Sequence, residues 1–389
     1  MAAAAAVAAV AGKPIAQQQT ERPGDRPLGF LPIGDRRGAV RRAMTVQLHS
    51  PSEVPVIMRR IPLLATIVVL VWTWPVRAWD EAGHVIVTEL AVRLLGDNAP
   101  DFLKTSAARA RLNFLCAEPD RWRNLKLAPL PHINSPDHYI DFELLALYEL
   151  TPQTMPPFRY DFVAYMARYK AAHPDKNFEY DASKDDDHSR EWPGFVPYRI
   201  CELYAELRSS WRTLNTYEKY RERVSEAAIE NCQQDIIYLM GLLSHYVGDC
   251  SQPLHTTKHF NGWVGDNPHG YTTSPKFHAV IDGGVIDAGR IRSQDLFERL
   301  PSGLRKIDET KLFPEVIAYS LEAFGEVEHT YQLEKQGAFR PGSDSFPEGK
   351  RFVEDRLCAG AVMLASLWEA TRHDPGIDAY REKQFQTAP

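Results

Sequence analysis

The sequence predicts a mainly α fold, a single helical domain, and three observations predict it. Apolar residues recur three and four positions apart through the long segments after residue 79. No run alternates apolar and polar residues as a half-buried strand would. Glycines and prolines fall between the periodic segments, where helices stop.

Taken in order, residues 1–57 open with an alanine run and continue rich in Pro, Gly and Arg, with no periodicity able to build a core. They read as a disordered or mis-assigned extension. Residues 58–78 read as a signal peptide: Met58-Arg59-Arg60 is the basic start, Ile61 to Trp74 the apolar stretch, and Val76-Arg77-Ala78 suits small-residue cleavage. That stretch is shorter than the roughly 20 residues that cross a bilayer. Cleavage after Ala78 makes Trp79 the first residue of a secreted or periplasmic chain with no membrane span.

Residues 79–389 form the predicted catalytic domain. Val85, Ile86, Leu90, Ala91, Leu94 and Leu95 mark a helix from His84 to Leu95, stopped by Gly96 and Pro100. A second helix is expected from about Asp101 to Cys116, ended by Pro119, with a loop or helical turn at 120–123 and a proline-rich loop from Leu127 to Pro136. Asp137 to Asp141 reads as short and extended, or as entering a helix. Residues 150–195, with Lys184-Asp185-Asp186-Asp187, read as an excursion from the core. Two long helices are expected between about Val196 and Asp249, around the polar stretch near Asn215 to Glu218, then a turn-rich loop around Gly262, Gly265, Pro268 and Gly270, and two helices at Phe313–Gln336 and Lys350–Thr371.

Charge narrows the function classes. Residues 79–389 hold 35 Lys and Arg against 47 Asp and Glu, a formal charge of −12. Such a surface does not draw polyanions by bulk charge, so a phosphate substrate needs a local positive site. The five cysteines, 116, 201, 232, 250 and 358, fit no thiolate metal motif, and at most two disulfides can form.

The local positive site has a candidate. His245 and Asp249 lie four residues apart at the end of the apolar run Ile236–Leu243, so on a helix both face one side and can reach one ion. Pro253 bends the chain before His255. His278 and Asp282 then repeat the spacing. Imidazole and carboxylate in this density suit zinc.

With Trp79-Asp80-Glu81-Ala82-Gly83-His84, Asp120 and His138-Tyr-Ile-Asp141 added, the pattern resembles the zinc-dependent single-strand nucleases of fungi, plants and bacteria, which share a superfamily with bacterial phospholipase C. The resemblance covers most of residues 79–282. It implies a cleft with three zinc ions: one on Asp120, His138, His245 and Asp249; a second on His255, His278 and Asp282; a third on His84 and on the free amine and carbonyl of Trp79, with Asp249 bridging. It further implies that Asp120 orients or deprotonates the attacking water, that Arg123 holds phosphoryl oxygens, and that Tyr139 and Asp141 contact a nucleobase.

The expected function is therefore a secreted hydrolase, an endonuclease cutting single-stranded DNA and RNA to 5′-phosphate products. The alternatives are a phospholipase C and, in another class, a non-catalytic zinc-binding protein. The four-residue gap between Trp79 and His84, and Asp rather than Glu at 282, resemble the nucleases. The long stretch from His138 to His245 departs from the family and implies an insertion within 142–230. No stable protein partner is inferred. Among the other histidines, His259 and His269 are expected nearest the cleft; Cys250 is expected to be packed, facing about 100° from Asp249.

Overall fold

The structure is a computed structural model that describes residues 79–387 apart from 126, 179, 186 and 187. The expectations for residues 1–57 and 58–78 fall outside the described residues. Within them the fold is mainly α, a single helical body in which every regular element is helical.

The centre of the body is the helix Glu226–Asp249. Ser225 starts it by accepting a hydrogen bond from the Ala228 N–H. Its first half is amphipathic, burying Ile229, Cys232, Ile236 and Ile237, whereas Met240 to Asp249 is buried on every side. A helix enclosed all round must be wrapped by neighbours. The wrapping is supplied by Val196–Lys219, Glu81–Leu95, Ser106–Leu115 and Phe346–Arg372. Close approach needs a missing side chain. A Cβ at Gly241 would overlap Leu115 Cβ on the Ser106–Leu115 helix, so only glycine lets these two helices meet at this separation.

Several elements differ from the sequence expectation, each for a local reason. The Asp101–Cys116 helix is two pieces, Asp101–Lys104 and Ser106–Leu115, because Thr105 adopts an extended backbone and caps the second through Ala108 N–H. Pro119 begins a helix, Glu118–Asn124, instead of ending one, since proline is tolerated in a first turn where its N–H is not needed. The same rule turns the proline-rich loop into a helix, Pro129–Asn134, and a 3-10 turn, Ser135–His138. The excursion at 150–195 contains the helix Arg159–Ala172. Phe313–Gln336 is broken at Gly325 into Leu312–Phe324 and Val327–Lys335. The five cysteines are free thiols, and Cys250 is fully buried, 3.4 Å from Ser320 Oγ.

Candidate metal centre

The last turn of the Glu226–Asp249 helix carries His245 and Asp249, and its carbonyls, which no helical N–H can satisfy, all find partners. Cys250 N–H donates to Tyr246 O and Gln252 N–H to Asp249 O. The Tyr319 hydroxyl donates to Val247 O at 2.8 Å, and the Trp79 indole donates to Gly248 O at 2.9 Å. The turn is therefore fixed by residues distant in sequence. Trp79 is fully buried, and a Cβ at Gly248 would lie 2.9 Å from His84 Nδ1, so this glycine lets the amino-terminal segment reach Asp249.

The predicted donors converge around that turn. His84 Nε2 lies 3.4 Å from Asp249 Oδ1, and its ring stacks on His245 with centroids 4.0 Å apart. His138 Nδ1 and His245 Nε2 lie 3.0 and 3.3 Å from Asp249 Oδ2, and each is 3.9 Å from Asp120 Oδ1. On the other side His278 Nε2 is 3.0 Å from both His255 Nε2 and Asp282 Oδ2. Asp282 sits in a π-helical turn, Val280–Gly284, and Gln252 Nε2 donates to its Oδ1 at 2.7 Å. Three buried groups result: His84, His245 and Asp249; Asp120, His138 and His245; His255, His278 and Asp282. Within each, the donor atoms lie inside 4.8 Å of one another.

Chemistry favours a cation in each group. His245 Nδ1 is 2.7 Å from Cys116 O and His255 Nδ1 is 2.7 Å from His138 O. If each Nδ1 donates its proton there, each Nε2 is left with a lone pair facing inward, the arrangement of a metal-ligating histidine with an outer partner. Those lone pairs point at other nitrogens, 2.9 Å away for His245 and His138 and 3.0 Å for His255 and His278. Two unprotonated nitrogens that close repel unless a proton or a metal ion lies between or beside them. Buried His84 Nδ1 and Nε2, Asp249 Oδ1 and Asp282 Oδ2 have no hydrogen-bond partner, although His84 and Asp249 approach as an ion pair. Tetrahedral zinc sets its donors about 3.3 Å apart, and these separations fit it.

The electrostatics agree. Burial, then His245, holds His84 well below the ordinary imidazole range, and burial with Arg123 lowers His138 and His278 to about 3. Neutral rings are what a metal requires. His245 is the exception: burial works to lower it, but Asp249 and Asp120 outweigh burial and raise it, so an arriving cation has to displace its proton. Burial works to raise the Asp120 carboxyl, but Arg123, His245 and His138 outweigh it and hold Asp120 at about 2. Asp249 is likewise kept ionised by His245 and His255 against its burial. Burial raises Asp282 well above the carboxylate range, a cost that a neighbouring cation would remove.

A cavity of about 270 Å³ opens onto the centre, and His138, His255 and His278 lie in its wall. Arg123, three residues after Asp120 on the Glu118–Asn124 helix, lines it with Nε 2.8 Å from Asp120 Oδ1. Tyr139 and Asp141 line it too. Asp141 is buried with Oδ1 unpartnered, and burial, reinforced by Glu143, raises it well above the carboxylate range. His259 and His269 do not line it: His259 stacks on Trp263 with centroids 4.0 Å apart, and His269 is exposed beside Glu328. The sequence reading missed Ser189, Arg190, Phe260 and Asn261, which do. Asn261 and Phe260 lie within six residues of His255 and could have been sought there. Ser189 and Arg190 carried no such signal.

No family model matches the chain, and no curated protein matches it. Among solved structures, the alpha toxin from Clostridium absonum is similar in part, at 11% sequence identity and a TM-score of 0.40, over 79% of this chain and 68% of the toxin.

Proposed function

We propose that the chain is a secreted zinc-dependent phosphodiesterase that holds three zinc ions and hydrolyses single-stranded nucleic acid, leaving 5′-phosphate ends. The observation that carries this reading is the convergence of buried imidazoles and carboxylates from six separate segments, three of the imidazoles lying in the wall of a cavity that also bears a guanidinium. Zinc bound there supplies Lewis acidity and lowers the pKa of water from about 15.7 towards 7. His84, His138, His245, His255 and His278 offer ring nitrogens, and Asp120, Asp249 and Asp282 balance the cationic charge. The Asp120 carboxylate, held ionised beside the cavity, orients the attacking water or accepts its proton. Arg123 presents its fork of donors to the phosphoryl oxygens, where negative charge grows as the bond forms. Tyr139 and Asp141 receive the base, by stacking and by hydrogen bonding to the unpartnered carboxyl oxygen. A paired base has no free face, so stacking selects single strands.

A phospholipid substrate is the second reading, and one feature favours it. Leu125, Leu127 and Ile133 are 54%, 57% and 57% exposed in the segment between Arg123 and Ser135, both of which line the cavity. Exposed apolar side chains beside a catalytic mouth suit a lipid surface. The test is the zinc-loaded chain beginning at Trp79, offered denatured DNA, RNA and phosphatidylcholine vesicles, with a chelator control. Chelator-sensitive cleavage of DNA and RNA is expected. Release of diacylglycerol without nucleotides would install the lipid reading, and inertness towards all three would leave a zinc-binding protein without catalysis.

A further inference from the structure

We propose that Arg190 is a second phosphate contact, reading the phosphate next to the one being cleaved. The inference rests on the phosphodiesterase reading and deepens it to a polyanionic strand.

Arg190 lies within the stretch predicted as an insertion, and its position is built. The Asp185 carboxylate is 2% exposed and accepts the Ser189 N–H at 2.8 Å, the Arg190 N–H at 3.2 Å and the Tyr180 hydroxyl at 3.1 Å. This carboxylate fixes the backbone of Ser189 and Arg190. From there residues 189–196 lie along the ligand-bearing segment 136–141. The Tyr139 hydroxyl donates to Ser189 O at 3.1 Å, Asp141 N–H to Pro193 O at 2.6 Å, Phe195 N–H to Pro136 O at 2.7 Å and Val196 N–H to Tyr139 O at 3.2 Å. Gly194, at φ +106°, permits this, because a Cβ there would overlap the Tyr139 carbonyl. Arg190 is thereby registered to His138.

The side chain faces the cavity. It lines the cavity wall with its guanidinium 5.8 Å from the centre of the Phe260 ring, close enough for its charge to act on the Asp141 carboxyl in the same wall. Arg123 already serves the centre. A second, exposed cation on the same cavity answers a second negative charge, which a polynucleotide always carries one residue along. A choline headgroup carries a positive charge there and would be repelled.

Calorimetric titration of the zinc-loaded chain with thymidine 3′,5′-bisphosphate and thymidine 5′-monophosphate, in wild type, Arg190→Gln and Arg190→Lys, tests this beside a DNA cleavage assay. The wild type should bind the bisphosphate about tenfold tighter, about 1.4 kcal/mol. That ratio should fall to about one in Arg190→Gln, survive in large part in Arg190→Lys, and shrink with added salt. A ratio near one in the wild type, or one that Arg190→Gln leaves intact, overturns the proposal even if both affinities drop. DNA cleavage with an Arg190-independent ratio sinks this inference and spares the function. An Arg190-dependent ratio without cleavage of any diester does the reverse, and binding of neither ligand removes both.

Discussion

At the scale of single residues, the centre is defined by who holds the far side of each ring. His245 and His255 each have Nδ1 at a main-chain carbonyl, so their inward nitrogens have fixed direction before any metal arrives. His138 is held neutral chiefly by burial, to about 3. The sign of its pH linkage follows: the unfolded ring takes its proton near 6.5, the folded one resists, so His138 stabilises the chain fully above pH 6.5 and the contribution is lost as pH falls towards 3. In chelator, the difference in unfolding free energy between wild type and His138→Gln should therefore change by about 1.4 kcal/mol per pH unit across that window, measured by urea denaturation. A flat difference would mean that the ring is protonated in the folded state. Residue identity at the centre was largely legible, because histidine and aspartate four apart on an apolar helix are unusual enough to announce chemistry. What was not legible is whatever depends on close approach in space: Ser189 and Arg190 lie on a loop without periodicity, and no spacing rule points from them to the cavity.

At the scale of elements, the central helix shows why length and boundary are unequal problems. Its apolar half is written in the sequence, as is the apolar stripe of its long neighbour Val196–Lys219, but the break between the two falls at 220–225 and not near Asn215 to Glu218. Pro119 reads as a helix terminator and Pro129 as part of a loop, yet both open helices, since one residue type both starts and stops helices and only the neighbouring turn decides which. The helix Arg159–Ala172 escaped notice because Tyr, Arg and Lys crowd the pattern that its buried Phe162 and Met166 would otherwise reveal. Packing between elements yields a sharper test. Gly241→Ala should destabilise the chain by about 1–3 kcal/mol, since the new methyl has to displace Leu115, whereas Ser225→Ala, a lost cap, should cost about 1 kcal/mol. Equal melting temperatures for wild type and Gly241→Ala would show that the two helices can separate freely at that point.

At the scale of the whole molecule, the described body is one fold whose first described residue, Trp79, reaches its interior. Trp79 is fully buried, its indole on Gly248 O and Ser251 Oγ, the residues that flank the Asp249 end of the central helix. A free amine there could donate a lone pair, and a peptide nitrogen could not. Metal analysis of the chain beginning at Trp79 should thus find about one zinc more than the same chain carrying extra residues before it, with the His255 group unaffected. Equal zinc in both would show that the amine is not a donor. The mainly α class and single body were readable from periodicity alone, because helices of this length declare themselves one by one. Their arrangement was not, since it is decided by contacts between residues more than a hundred positions apart.

The carbonyls of the final turn of Glu226–Asp249 are caught by the Trp79 indole and the Tyr319 hydroxyl, partners 169 and 72 positions away from their acceptors. A nascent chain that has emerged only as far as Asp282 already owns every histidine and aspartate of the centre, yet lacks Tyr319 to lock the turn that aims two of them. On the proposed zinc reading, ion capture should accordingly wait for Tyr319, and release of the ions should keep pace with global unfolding instead of preceding it.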